Sequence, residues 1–233
     1  MIFVYTITIT AQDKFECRQL TFDSEQNGFP SWSPDSKFIV YQFTNLNDTL
    51  GKNGLWIVSL DGKISNQIFK GLGEHAKWSP DGRFIVFDAD TGNTIKMISA
   101  EGGETISFLP DSIFIQNGGL PCWSPDGSQI AFLERTGLSI CIYDMKTGNV
   151  KSIFSKENLL PLPAGWLTDG NKILAVLSDR QTRKSTMWKI PVDRKGNEQI
   201  QGHRENFWRH LALSPDGSLL VYAAMEGLSL IHI

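Results

Sequence analysis

Cysteine is scarce in this chain. Cys17, Cys122 and Cys141 are odd in number and far apart, with none of the spacings of a zinc site, a redox motif or a disulfide framework. They are expected to act as small apolar core side chains. Surplus positive charge is missing as well: 22 Lys and Arg against 25 Asp and Glu leave a net charge of -3, no electrostatic footprint for nucleic acid. The most basic stretch, 151–210, carries 11 Lys and Arg against 6 Asp and Glu, and reads as solvated surface. Long apolar runs are also lacking. Ile173-Leu174-Ala175-Val176-Leu177 has the length of a strand, far below a membrane span.

Catalytic signatures are missing too. The chain has no Gly-x-Ser-x-Gly nucleophile elbow, no phosphate-cradling glycine loop and no His-Glu-x-x-His, so no catalytic residue, cofactor or metal ligand is expected from these motifs. Asp88-Ala89-Asp90-Thr91-Gly92-Asn93 has spaced oxygens suited to calcium. It lies between two strands, however, where Asp, Gly and Asn serve the turn itself.

What the chain does have is one phrase in five copies. They are Trp32-Ser33-Pro34-Asp35-Ser36, Trp78-Ser79-Pro80-Asp81-Gly82, Trp123-Ser124-Pro125-Asp126-Gly127, the eroded Trp166-Leu167-Thr168-Asp169-Gly170, and Leu213-Ser214-Pro215-Asp216-Gly217. Their third residues stand 46, 45, 43 and 47 positions apart, a period that belongs to stacked supersecondary units. In the third copy Pro125 pre-sets the first corner of a turn, Asp126 bonds back to nearby amides, and Gly127 takes the left-handed conformation that closes a hairpin. The aspartates Asp35, Asp81, Asp126, Asp169 and Asp216 therefore need no ligand to explain them.

After each phrase comes a short run apolar on both faces, such as Phe84-Ile85-Val86-Phe87 or Ile130-Ala131-Phe132-Leu133, which suits a strand with sheets packed on either side. A third strand and a glycine turn follow, then a more polar fourth strand. Four strands in meander order make one propeller blade. The tryptophans at 32, 78, 123 and 166 are expected to fill the wedge between neighbouring blades, with the smaller Leu213 in the fifth copy. The expected architecture is all-β: a single propeller domain over 1–226, with a half blade at 2–24, blades at 29–70, 75–108, 120–155 and 163–201, and a half blade at 208–225. The two halves can pair to close a five-bladed ring, and a longer natural chain would make a larger one.

The ends carry two further expectations. Residues 2–10 lack a basic n-region and a small-residue cleavage site and alternate like a strand, so they do not read as a secretory signal. Leu228-Ser229-Leu230-Ile231-His232-Ile233 matches one reading frame of a transposon-end sequencing adapter, so 228–233 reads as read-through rather than native sequence.

The Trp-Ser-Pro-Asp-Gly phrase, the apolar strand after it, and Arg18-Gln19-Leu20-Thr21-Phe22 leading into Phe29-Pro30-Ser31-Trp32 resemble the TolB-like, WD-like β-propeller repeat. The resemblance covers roughly 2–226. It departs at Ser36, Thr168 and Leu213, which replace the turn glycine, the proline and the tryptophan. It implies a bacterial binding module, periplasmic or secreted, that takes a protein or peptide partner. Such modules also occur as the propeller of prolyl-oligopeptidase-like peptidases and as sensor regions of regulators or kinases. Binding in propellers gathers on the loops entering each blade and those after each second strand. Here those loops hold His75, Arg180, Arg183, His203, Arg204, Trp208, Arg209 and His210, with aromatic and guanidinium groups suited to contact hot spots. For the histidines a packing role is the stronger expectation.

Overall fold

The computed structural model describes residues 3–6, 16–21, 26–90, 92–113, 115, 119–134, 138–182, 184–193, 196–204, 209–213, 219–224 and 227–232. Its regular elements are all strands. The first blade is β3 (Gln26–Trp32), β4 (Phe38–Thr44), β5 (Gly54–Ser59) and β6 (Ser65–Lys70). The second is β7 (Gly73–Trp78), β8 (Phe84–Ala89), β9 (Thr94–Ser99) and the short β10 (Ile106–Ser107). Next come β11 (Cys122–Trp123), β12 (Gln129–Glu134), β13 (Ser139–Asp144) and β14 (Val150–Ser155). The fourth blade is β15 (Leu159–Trp166), β16 (Lys172–Asp179), β17 (Ser185–Pro191) and β18 (Glu198–Arg204). Each is a four-stranded antiparallel meander. Before them β1 (Phe3–Thr6) pairs with β2 (Glu16–Gln19); after them β19 (Arg209–Leu213), β20 (Leu219–Ala224) and β21 (Gly227–His232) form a three-stranded sheet.

The phrase folds as a hairpin turn for a chemical reason visible in the described copies. Ser79 N–H donates to Phe84 O at 2.8 Å and Gly82 N–H to Ser79 O at 2.9 Å. Gly82, Gly127 and Gly170 take φ of 73°, 71° and 67°, and Ser36 is forced to 58° in the copy without glycine. The serine matters as much as the aspartate. Ser33, Ser79 and Ser124 each donate a hydroxyl to the following Asp Oδ1 at 2.6 Å and accept an amide at 2.9 Å from Phe38, Phe84 and Gln129. Ser59 and Asp61 repeat the device between a third and a fourth strand. In the eroded copy Leu167 has no hydroxyl, and among the described residues Asp169 keeps only the bond from Asn171 N–H at 2.9 Å.

The described contacts divide into two units, residues 1–91 with 96–106, and 92–95 with 107–233. In the first, one core joins Val40, Leu55 and Ile68 of the first blade to Ala76, Ile85 and Phe87 of the second. A second cluster sets Leu20 against Ile39, Tyr41 and Phe43. In the second unit Cys122, Ala131 and Ile140 meet Trp166, Ile173 and Ala175. Cys122 and Cys141 are free and buried, as small apolar side chains commonly are.

Two of the four indoles behave as wedges. Trp78 Nε1 donates to Ser31 O at 3.2 Å and Trp166 Nε1 to Cys122 O at 3.1 Å, each reaching the residue just before the previous copy's tryptophan. Trp32 departs from the expectation: it is 47% exposed. It heads the first unit, and among the described residues of that unit no earlier first strand stands before it. Trp123 heads the second unit in the same sense, and its buried Nε1 has no partner among the described residues.

Candidate functional site

The loop-rich end of the first unit is shaped by paired bulges. In β3, Phe29 and Pro30 lie between the paired positions Gly28 and Ser31; in β7, His75 and Ala76 lie between Glu74 and Lys77. Two residues thus oppose one on the neighbouring strand, which re-aims the side chains there. Phe29 and His75 hold φ of 50° and 51°, left-handed values that are strained for such residues. Their rings lie 4.2 Å apart at 54°. The register of β19 with β20 puts His210 in the same slot, between paired Arg209 and Ala212.

Beneath this aromatic pair sits a carboxylate. Asp88 has no exposed side-chain surface, and its Oδ2 lies 2.9 Å from His75 Nδ1, while His75 stays 24% exposed. The bond assigns the Nδ1 proton to the Asp88 side and leaves Nε2 for another partner. Beside it, Gln42 Nε2 donates to Glu74 Oε1 at 3.3 Å and to Thr44 Oγ1 at 2.9 Å. Glu74 and Asp88 are cross-strand partners, so an imidazole, a phenyl ring, an amide and two carboxylates share one end of two blades. No hydroxyl or thiol bonds to His75 among the described residues, so the pair there holds and presents a ring without a nucleophile beside it.

The other expected residues are placed as follows. Arg180 is exposed, and its N–H donates to Asn158 O at 3.0 Å. Asp179 caps its own turn, accepting N–H bonds from Gln181 and Thr182 at 2.8 Å. Those two amides, Thr182 first, hold the Asp179 carboxyl below the usual carboxylate range. His203 and Arg204 end β18, and Arg209 and His210 open β19. Arg183, Trp208, Pro215, Asp216 and Gly217 lie outside the described residues. The Asp88 to Asn93 segment divides its acids: Asp88 faces His75, and Asp90 pairs with Lys96 Nζ at 3.0 Å. No group of three or more metal-ligating side chains forms among the described residues. Nor is any helix there long and apolar enough to cross a membrane.

The sequence singles out His75 as a contact residue and assigns no such part to Phe29 or Gln42. Phe29 belongs to the Phe29-Pro30-Ser31-Trp32 stretch of the repeat but has no site role there, Gln42 carries no motif, and Asp88 reads from sequence as part of a turn. Their only signal is position, since Phe29 and His75 both stand three residues before a phrase tryptophan.

Antiparallel four-stranded blades around a repeated turn define a β-propeller of the TolB-like kind. Among solved structures, TolB from Acinetobacter baumannii is similar over 93% of this chain, with a TM-score of 0.76 and 22% identity. The chain spans 54% of that protein's length. A TolB structure from Agrobacterium tumefaciens matches over 90% of this chain and 73% of its own, at TM-score 0.71 and 20% identity. The work on two prolyl endopeptidases supplies a further likeness, with TM-score 0.59 and 12% identity over 89% of this chain and 34% of that one. At these identities the likeness concerns the fold. No family model matches the chain, and no curated protein does.

Proposed function

We propose that this chain is a non-enzymatic binding module that takes a protein or peptide partner at the loop-rich end of its blades. The observation that carries the reading is the pair of strained bulges that turn Phe29 and His75 toward each other over buried Asp88. Strain of this kind persists where the surroundings impose it and clusters at ligand clamps. In the second unit, Arg180, Arg183, His203, Arg204, Trp208, Arg209 and His210 are proposed contact residues in their own right, since aromatic and guanidinium groups dominate interface energetics. A periplasmic address is part of the proposal and rests on the TolB likeness.

A second reading, the propeller of a prolyl-oligopeptidase-like peptidase, draws on the prolyl endopeptidase likeness. A Gly-x-Ser-x-Gly domain encoded downstream in the gene would favour it; a winged-helix or kinase domain would point to a sensor role. The direct test is selection of binders from a random peptide library on the immobilised chain. Their affinities are then measured for the native chain, for His75→Ala, and for Trp208→Ala with Arg209→Ala. The proposal expects at least about tenfold weaker binding by the variants with little change in melting temperature. Equal binding by all three proteins would contradict it.

A further inference from the structure

One residue in the second blade breaks the pattern of the others. Leu60, Ala100, Met145 and Val192 are equivalent: each donates its N–H to the carbonyl of the residue three beyond the third position of its phrase, at Lys37, Arg83, Ser128 and Asn171. Leu60 packs against the Leu20, Ile39 and Tyr41 cluster, and Val192 against the cluster around Trp166. At this place Leu60 and Val192 each set a branched aliphatic side chain against a core cluster. In the second blade the residue is alanine, several methylene groups smaller.

Ala100 packs its methyl against the Val40, Leu55 and Phe87 core, and open space lies beside it. A groove of about 1070 Å³ runs between the turn ends of the first two blades, large enough for a ligand side chain and its flanking backbone. Ile57, Ile64, Ile68 and Trp78 form its apolar walls beside Ala100, and Ile64 stays 45% exposed. The titratable residues lining it are Asp35, Asp81 and Glu101, all acidic. Lys37 and Arg83 pair with the outer oxygens of Asp35 and Asp81, contacts that are weak at exposed positions. Glu101 has no ion pair among the described residues.

We propose that this groove is a second docking site, in which an extended peptide segment seats one aliphatic side chain beside Ala100 and sets flanking lysine or arginine residues against Glu101, Asp35 and Asp81. The inserted side chain takes the place that Leu60 and Val192 fill from within the chain in their own blades. Charge complementarity selects the occupant: an acidic rim around an apolar floor favours a basic, aliphatic segment and disfavours an acidic one. The site lies at the turn end of the blades, opposite the His75 patch, and stands independently of the function proposed for that patch.

The test is methyl-labelled NMR titration of the full chain with three capped peptides: Lys-Ser-Leu-Ser-Lys, Glu-Ser-Leu-Ser-Glu and Lys-Ser-Gly-Ser-Lys. The first is expected to shift the methyls of Ile57, Ile64, Ile68 and Ala100, and the other two to bind at least about tenfold more weakly, the scale of one buried aliphatic group or of lost charge pairing. Ala100→Leu, which restores the residue type of the first blade, is expected to fold with an equal or higher melting temperature and to lose the first peptide. Ile64→Ser and Glu101→Lys should weaken it without unfolding the protein, and His75→Ala should leave it unchanged. Methyl shifts located elsewhere, equal binding of the acidic peptide, or undiminished binding by Ala100→Leu would each overturn the proposal.

Discussion

The hydroxyl in each described Ser-x-Asp turn is bonded on two sides, which ties a buried serine to the charge state of an exposed aspartate. At Asp81 the Ser79 hydroxyl is the main cause that holds the carboxyl down, followed by the Arg83 amide and then its guanidinium, lowering it from 3.8 to about 2. Ser33 and Ser124 lower Asp35 and Asp126 in the same direction. Because the folded value lies below the unfolded one, the stabilisation is present above the ordinary carboxyl range and is lost as pH falls through the folded value. Ser79→Ala removes both bonds of that hydroxyl, and is expected to cost roughly 1–2 kcal/mol at neutral pH. It should also raise the Asp81 titration midpoint and shrink the loss of stability between neutral and strongly acid conditions. Side-chain NMR titration with urea unfolding reads both; an unmoved Asp81 midpoint would contradict the assigned role. From sequence the aspartate and glycine of this turn are explicable by turn chemistry, whereas the serine's second bond appears only once the strand beyond it is placed.

Strands are the elements, and their apolar runs announce them, but the places where they bend do not. The second strands read as continuous apolar runs and lie buried in the blades, as with β8 and β12. The bulges that aim Phe29 and His75 depend on backbone angles that neither residue type favours, so composition could not reveal them, nor the Asp88 partner across the sheet. Gly54 marks a further constraint at the start of β5. It has φ of 151°, and a Cβ there would lie 1.8 Å from Phe69 O on the paired strand. Because that obstacle is main chain, the β5 to β6 pairing itself must shift to admit any side chain. Gly54→Ala is expected to lose roughly 2–4 kcal/mol in denaturant unfolding. A change below about 0.5 kcal/mol, the scale of an indifferent surface substitution, would show that these strands are not so closely set.

For the whole molecule, the forty-odd-residue period carried the fold class, because a repeated turn with a repeated apolar strand permits few architectures. The same period could not tell which indoles become wedges. That depends on whether an earlier first strand stands beside the ring, as it does for Trp78 and Trp166 and does not for Trp32 within its unit. Nor does the period show the wedge that Ala100 leaves open, since one small residue among Leu60, Met145 and Val192 has meaning only after the blades are aligned in space. The central claim is that the second and fourth copies of the phrase lock their indoles, Trp78 and Trp166, onto the main chain of the copy before them. Hydrogen exchange of the indole Nε1 protons tests this most directly, since protection reports a buried, bonded group in the native state. The structure predicts slow exchange at Trp166, bonded to Cys122 O and only 8% exposed, intermediate exchange at Trp78, and fast exchange at Trp32. Exchange at Trp166 as fast as at Trp32 would contradict it.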